Sequence, residues 1–276
     1  MRKFLVPLIA LAVAFFSVSG ISSAAEVPKC TGSFTQKTIY SGQAAIENLI
    51  VGGGGVLYTS TTDGTNSLLN AYTKGVAAPR AITTGLPGGG GLAWNGKRLL
   101  WGYGDTLANG IARGKDGFVY ASNNLGLKLD RISPEGETVN GWASLNSANG
   151  LSVGKNGRYL YANQMFTTPS TIAKIDTTDP SKVTTFFTSP ETANVLLDGL
   201  TRDGENNLYA AVYGKGEVWK VSPSKEACVI ATGLSQTTSV AISGAKKGFR
   251  AGNLYAAGFD GKIVQVTGAT EAGFPG

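Results

Sequence analysis

A phrase that recurs about every 40 to 50 residues constrains this chain more than any other feature. It reads Asn109-Gly-Ile-Ala-Arg-Gly-Lys-Asp-Gly-Phe-Val-Tyr-Ala-Ser. It returns as Asn149-Gly-Leu-Ser-Val-Gly-Lys-Asn-Gly-Arg-Tyr-Leu-Tyr-Ala, and again as Asp198-Gly-Leu-Thr-Arg-Asp-Gly-Glu-Asn-Asn-Leu-Tyr-Ala-Ala. Each copy holds an oxygen-bearing residue, a glycine, a short apolar strand, a Gly/Asp/Asn turn and a second strand around a tyrosine. A period of this size with four short strands per unit specifies a β-propeller. The residue opening each phrase then takes the same place in successive blades, and a sequence repeat becomes a ring of side-chain oxygens.

The chain opens Met1-Arg2-Lys3, runs apolar from Phe4 through Val18 and closes on Ser22, Ser23, Ala24 and Ala25. A basic start, an apolar core too short to span a bilayer and small residues at the end read as a signal peptide over 1–25. Export to the periplasm or the extracellular space is expected, with no membrane attachment after cleavage. Residues 26–276 remain as one domain, long enough for a substantial β core. Without Arg2 and Lys3, 22 of the 24 basic side chains face 18 acidic ones, a net charge of +4. No Lys/Arg run exists, so nucleic acid is not an expected partner.

Two cysteines, Cys30 and Cys228, lie near the two ends of the mature chain, and an exported protein with such a pair favours a disulfide. The bridge is expected to clasp the closure of the ring, where the first strand of a propeller joins the last blade. Constraining so long a loop is worth about 3–5 kcal/mol in the entropic account. There is no histidine, which excludes a Ser-His-Asp triad, a Cys-His dyad and an imidazole zinc site.

Six units are countable: an all-β, six-bladed propeller with four-stranded antiparallel blades. A lead-in strand runs from Phe34 to Tyr40. Units then open at Ala45, Gly91, Asn109, Asn149, Asp198 and Thr238. The second is compressed, because only 19 residues separate Gly91 from Gly110, too few for four strands. Its Asn95-Gly96 pair marks a hairpin turn. The tail from Thr267 reads as frayed. Asp63, Asp105, Asp116, Asp203 and Asp260 fall in turn signals.

Glu47, Asn109, Asn149 and Asp198 take the opening position of their units. Two carboxylates and two amides at one mouth of a channel make an all-oxygen site, which suits a hard divalent cation and Ca²⁺ most readily. Asn-Gly and Asp-Gly are also turn dipeptides anywhere, so strand capping is the competing account of each residue taken singly. If the ring is catalytic, Asp198 is the candidate general base on an attacking water. Trp101, Tyr103, Trp142 and Phe166 are candidates to wall a pocket, or else core.

Glu47-Asn48-Leu49, Asn109-Gly110-Ile111-Ala112, Asn149-Gly150-Leu151-Ser152 and Asp198-Gly199-Leu200 resemble, in order and spacing, the four signature positions of the senescence marker protein/gluconolactonase family, to which paraoxonases are related. That resemblance implies a six-bladed propeller holding a divalent cation in its channel and hydrolysing lactones. It implies Glu47, Asn149 and Asp198 as metal ligands, with Asn109 a further ligand or a substrate contact. Three departures stand against it. Asn48-Leu49 replaces the usual Gly-Pro, the second unit is short, and the channel histidines of paraoxonases are missing. Two functions therefore stay open: a Ca²⁺-dependent hydrolase acting on a small lactone or ester, and a non-catalytic binding or scaffold propeller with a structural ion.

Overall fold

In the computed structural model, residues 25–62, 66–103 and 108–275 are described; residues 1–24 of the signal segment, Asp63 and Asp105 lie outside them. The strands are short because Gly, Asn and Asp turns interrupt apolar runs every five to seven residues. A lead-in strand β1 (Thr35–Tyr40) precedes a first blade of β2 (Ala45–Val51), β3 (Leu57–Thr62), β4 (Ser67–Tyr72) and β5 (Arg80–Leu86). Next comes a two-stranded sheet, β6 (Leu92–Trp94) and β7 (Leu99–Trp101). Then follow β8 (Ala108–Arg113), β9 (Val119–Asn123), β10 (Lys128–Ile132) and β11 (Thr138–Ser144). The next blade holds β12 (Ala148–Val153), β13 (Tyr159–Gln164), β14 (Thr171–Asp176) and β15 (Asp179–Thr188). After it come β16 (Leu197–Arg202), β17 (Leu208–Val212), β18 (Glu217–Val221) and β19 (Ala227–Ala231). The last blade has β20 (Thr237–Ile242), β21 (Leu254–Gly258) and β22 (Ile263–Thr267), with β1 as its outer strand, antiparallel to β22.

Among the described residues the propeller thus has five four-stranded antiparallel blades, where six were expected. The interval of the second unit carries only β6 and β7. The correction has the physical cause the spacing foreshadowed: a strand needs about five residues plus a turn, and this interval has no room for four.

The core is radial rather than central. Each buried cluster joins two neighbouring blades, sheet face to sheet face. Leu57 and Tyr72 of the first blade pack with Tyr255 and Ile263 of the last. Tyr120 and Leu129 pack with Leu160 and Ile175. Ile172 and Phe187 meet Leu208 and Trp219, and Tyr209 and Val218 meet Leu254 and Val266. The recurring tyrosine of the phrase supplies this packing: Tyr120, Tyr209 and Tyr255 have no exposed surface. Trp142 belongs here too. It is 7% exposed on the outer strand β11 with its ring 4.9 Å from Tyr120, so it is core and not a pocket wall.

Cys30 and Cys228 are bonded, but not across the last blade. Cys228 sits on β19, the outer strand of the blade before it. The lead-in runs alongside that strand, Lys29 paired parallel with Val229, before crossing to form β1. The tail is not frayed. Ala269 and Ala272 are buried, and the buried Lys220 ammonium donates to the carbonyls of Ala269 (3.4 Å), Thr270 (3.1 Å) and Ala272 (2.6 Å). A cation satisfied by three carbonyls costs less to bury than a free one, and it ties the tail to β18.

Candidate functional site

Glu47, Asn109, Asn149 and Asp198 all lie on inner strands, each at an irregularity in the ladder to the next strand. Pairing jumps from Ala108 to Ile111 on β8, from Ala148 to Leu151 on β12 and from Leu197 to Leu200 on β16, while the partner strands advance by one residue fewer. On β2 the jump passes over Glu47, and on β20 over Thr238. These are β-bulges, which leave one residue unpaired and re-aim its side chain. The four oxygen-bearing residues are the ones so re-aimed.

The glycine after each ring residue explains why the phrase needs Gly there. A Cβ on Gly110 would collide with the Asn149 carbonyl, one on Gly150 with the Asp198 carbonyl, and one on Gly199 with the Thr238 carbonyl. Each inner strand packs at this step against the backbone of the next. The first blade departs from the pattern, with Asn48 in the glycine place. Its Nδ2 instead donates to the Asn109 carbonyl at 3.0 Å, reaching past the two-stranded sheet.

The side chains converge. Asn109 Nδ2 donates to Glu47 Oε1 at 2.8 Å. Asn149 and Asp198 are buried, 0% and 4% exposed. Burial pushes the Glu47 carboxyl up to about 7, with the Asn109 hydrogen bond pulling the other way. Burial first, and the Glu47 charge second, hold Asp198 well above the usual carboxylate range, while the Asn149 amide lowers it. Burial is thus the main cause of both shifts, and the Glu47 charge bears on Asp198. Asn149 donates through Nδ2 to the Met165 sulfur at 3.2 Å, and its buried Oδ1 has no partner. Among the described residues no cluster of three or more His, Cys, Asp or Glu side chains exists; here amides complete the oxygen set. An orphaned amide oxygen beside two carboxylates of raised proton affinity is an arrangement that a hard cation would satisfy.

Several supporting residues were missed by sequence reasoning. Asn163 is fully buried and donates from Nδ2 to the carbonyls of Asp198 (2.7 Å) and Gly199 (3.1 Å). Ser122 donates from Oγ to the Asn149 carbonyl at 2.5 Å, and Thr238 donates from Oγ1 to the Ile46 carbonyl at 2.6 Å. The signal for the first two was present. Both stand two places after the phrase tyrosine, in Tyr120-Ala-Ser and Tyr161-Ala-Asn. Asp116, Asp203 and Asp260 are turn residues as expected, and Asp203 also accepts the buried Tyr209 hydroxyl at 2.9 Å. Trp101 donates from Nε1 to Ser60 Oγ at 3.1 Å and so is held against the first blade, whereas Tyr103 and Phe166 are exposed. Below the ring, the channel widens into an open cavity of about 430 Å³ lined by Gly110, Gly150 and Gly199, each the residue after a ring residue, and by Ser239 of β20.

Comparison with known proteins agrees with this architecture. Among solved structures, a gluconolactonase from Xanthomonas campestris superposes with a TM-score of 0.62 at 14% identity, covering 89% of this chain and 96% of its own. A luciferin-regenerating enzyme gives 0.61 at 17% identity over 88% and 98%. A streptogramin B lyase gives 0.62 at 12% over 85% and 97%. At these identities the likeness establishes the fold. No curated protein sequence matches the chain. Residues 114–249, which hold two of the four ring positions, match the model of a protein family, and over that stretch the chain carries an SMP-30/Gluconolactonase/LRE-like region.

Proposed function

We propose that this protein is an exported hydrolase of lactones or esters that works with a divalent cation, Ca²⁺ by preference, held by Glu47, Asn109, Asn149 and Asp198. The observation that carries the reading is the convergence of these four side chains on successive inner-strand bulges, with the Asn149 Oδ1 buried and unpartnered. The family region over residues 114–249 and the fold shared with a gluconolactonase support it. In this reading the β6–β7 sheet stands where a sixth blade would. The Cys30–Cys228 bridge suits an oxidising compartment, and the basic, apolar start of the chain supports export. No helix of the described residues is long and apolar enough to cross a membrane.

The oxygen set is two carboxylates and two amides, matched to a hard ion tolerant of irregular geometry. Such an ion, when bound, supplies electrophilic activation of a carbonyl. The chain's own groups do the rest. Asp198 has raised proton affinity because burial and Glu47 disfavour its charge, and it takes the proton from an attacking water. Asn109, tethered to Glu47, fixes that carboxylate's orientation. Asn163 and Ser122 hold the backbone carbonyls beneath Asp198 and Asn149, so the ring does not relax when charge develops above it.

Calorimetry and a lactone turnover assay on the mature protein test this together. Wild type should bind Ca²⁺, and chelation should abolish turnover. Asp198→Asn should reduce turnover by 100-fold or more, within the roughly 10²–10⁴-fold range for loss of general-base catalysis. Ca²⁺-dependent turnover undiminished in Asp198→Asn refutes the assignment. Ca²⁺ binding without turnover on any lactone or ester points to the scaffold reading, which the short β6–β7 sheet favours.

A further inference from the structure

Resting on the hydrolase reading above, we infer that the substrate is an apolar lactone or ester, carrying an alkyl or aryl substituent, rather than a polyhydroxylated sugar lactone. The observation is a collar of apolar side chains, Tyr103, Leu125 and Phe166 exposed and Tyr213 and Phe259 half-buried, around the mouth onto which the four oxygen-bearing residues open.

The collar is built by the repeat itself. In each unit the inner strand starts at that mouth and the second strand returns to it. One or two residues beyond the end of the second strand, successive units place Tyr103 after β7, Leu125 after β9, Phe166 after β13, Tyr213 after β17 and Phe259 after β21. Tyr103, Leu125 and Phe166 are 56%, 71% and 49% exposed. Most large apolar side chains that stay this exposed on a soluble protein are scattered singly. Here they recur at one fold position in consecutive units. The remaining unit's equivalent loop lies outside the described residues.

Two contacts tie the collar to the ring. Met165, the neighbour of Phe166, accepts the Asn149 amide. Asn124, the neighbour of Leu125, directs its Nδ2 at the same sulfur, 3.8 Å away. Tyr213 and Phe259 meet edge to face, 5.9 Å between centroids, the arrangement aromatic pairs prefer. The charged side chains of these loops are paired among themselves, Lys215 with Glu191 at 2.7 Å and Lys262 with Asp260 at 2.8 Å. Beside these pairs the mouth carries the exposed rings of Tyr103 and Phe166 and the Leu125 side chain, apolar surface that an alkyl or aryl substituent can cover.

The test is a substrate series on the Ca²⁺-loaded protein: δ-valerolactone, its heptyl-substituted relative and glucono-δ-lactone. Burying even part of the heptyl chain should raise kcat/KM by about tenfold or more over the unsubstituted ring, since each methylene removed from water is worth up to about fourfold. Phe166→Ser and Leu125→Ser should shrink that ratio severalfold. Val139→Ser, an equally exposed apolar site on the outer strand β11, should leave it unchanged. Preference for glucono-δ-lactone, or equal rates with and without the chain, overturns the collar while leaving the hydrolase reading intact. If no lactone or ester is turned over, the hydrolase reading fails and the collar is decided separately, by calorimetric binding of heptyl-substituted and plain δ-lactams. Tighter binding of the alkyl lactam that Phe166→Ser weakens sustains the apolar site; equal binding, or no effect of the substitution, rejects it.

Discussion

Glu47 and Asp198 are poised mainly by burial, and that has a measurable pH signature. Folding lifts the Glu47 carboxyl from the ordinary carboxylate range to about 7. A carboxyl raised in the folded state keeps a proton that the unfolded chain releases. Its contribution to stability is fully present below about 4.5 and is lost as pH rises toward 7. The cation-free protein should therefore lose a few degrees of Tm between pH 4.5 and 7.5, at roughly 2–4 °C per kcal/mol for a chain of this size. Glu47→Gln should flatten the slope. Because protons compete with the cation for the same oxygens, Ca²⁺ affinity should fall as pH drops below 7. Scanning calorimetry at several pH values, with and without Ca²⁺, checks both; a Tm independent of pH in the chelated wild type would show Glu47 to be ionised throughout. Met165 gives a second residue-scale prediction. Its sulfur accepts the Asn149 amide hydrogen and leaves Oδ1 free, so Met165→Ala should weaken Ca²⁺ binding severalfold while leaving the far-UV circular dichroism unchanged.

At the scale of elements, the bulge and its glycine are one device. The bulge turns a side chain inward, and the missing Cβ lets the neighbouring strand approach close enough to form the ring. Gly150→Ala would set a methyl against the Asp198 carbonyl and Leu200 amide. It should cost about 1–3 kcal/mol, the usual penalty of overpacking, and weaken the cation site with it. Gly204→Ala, where nothing lies within 4 Å of the added carbon, should change stability by less than about 0.5 kcal/mol. Chemical denaturation of the two variants separates local crowding from the general entropy of replacing glycine. The sequence made these elements readable because the phrase repeats on both sides of the turn: β8–β9, β12–β13 and β16–β17 follow it residue for residue. The convergence of the four ring residues could be anticipated for the same reason. Ser122 already closes the first copy of the phrase, and Asn163 could have been found by extending the second copy one place. Trp142 could not, because an aromatic on an outer strand looks the same in sequence whether it faces a neighbouring blade or solvent.

At the scale of the whole molecule, the question is how a ring with one undersized sector stays closed. Among the described residues the sector between β5 and β8 has only β6–β7, and none of the buried clusters found there joins blades across it. Asn48 reaches over it to the Asn109 carbonyl, the polar substitute for a missing strand. On the opposite side of the chain's path the closure is reinforced instead. β1 completes the last blade, the lead-in pairs with β19 of the preceding one, and the disulfide fixes that crossing across a sequence separation of 198. Pairing of Cys30 with Cys228 followed from their count, but not the blade that carries Cys228. Sequence marks a closing strand, and the segment leading to it is free to lie along either of two blades. The clasp therefore binds two blades and the chain's beginning, and its loss should be felt by both. Replacing both cysteines with serine should lower stability by about 2–5 kcal/mol, read as a lower denaturant midpoint. Dithiothreitol should bring wild type to the same value. Hydrogen exchange locates the effect: amides of β1 and β19 should exchange faster in the variant, while those of β12–β14, remote from the clasp, keep their protection until global unfolding. Uniform acceleration across all blades would mean that the disulfide acts only through the unfolded chain and that β1 holds the ring shut without it.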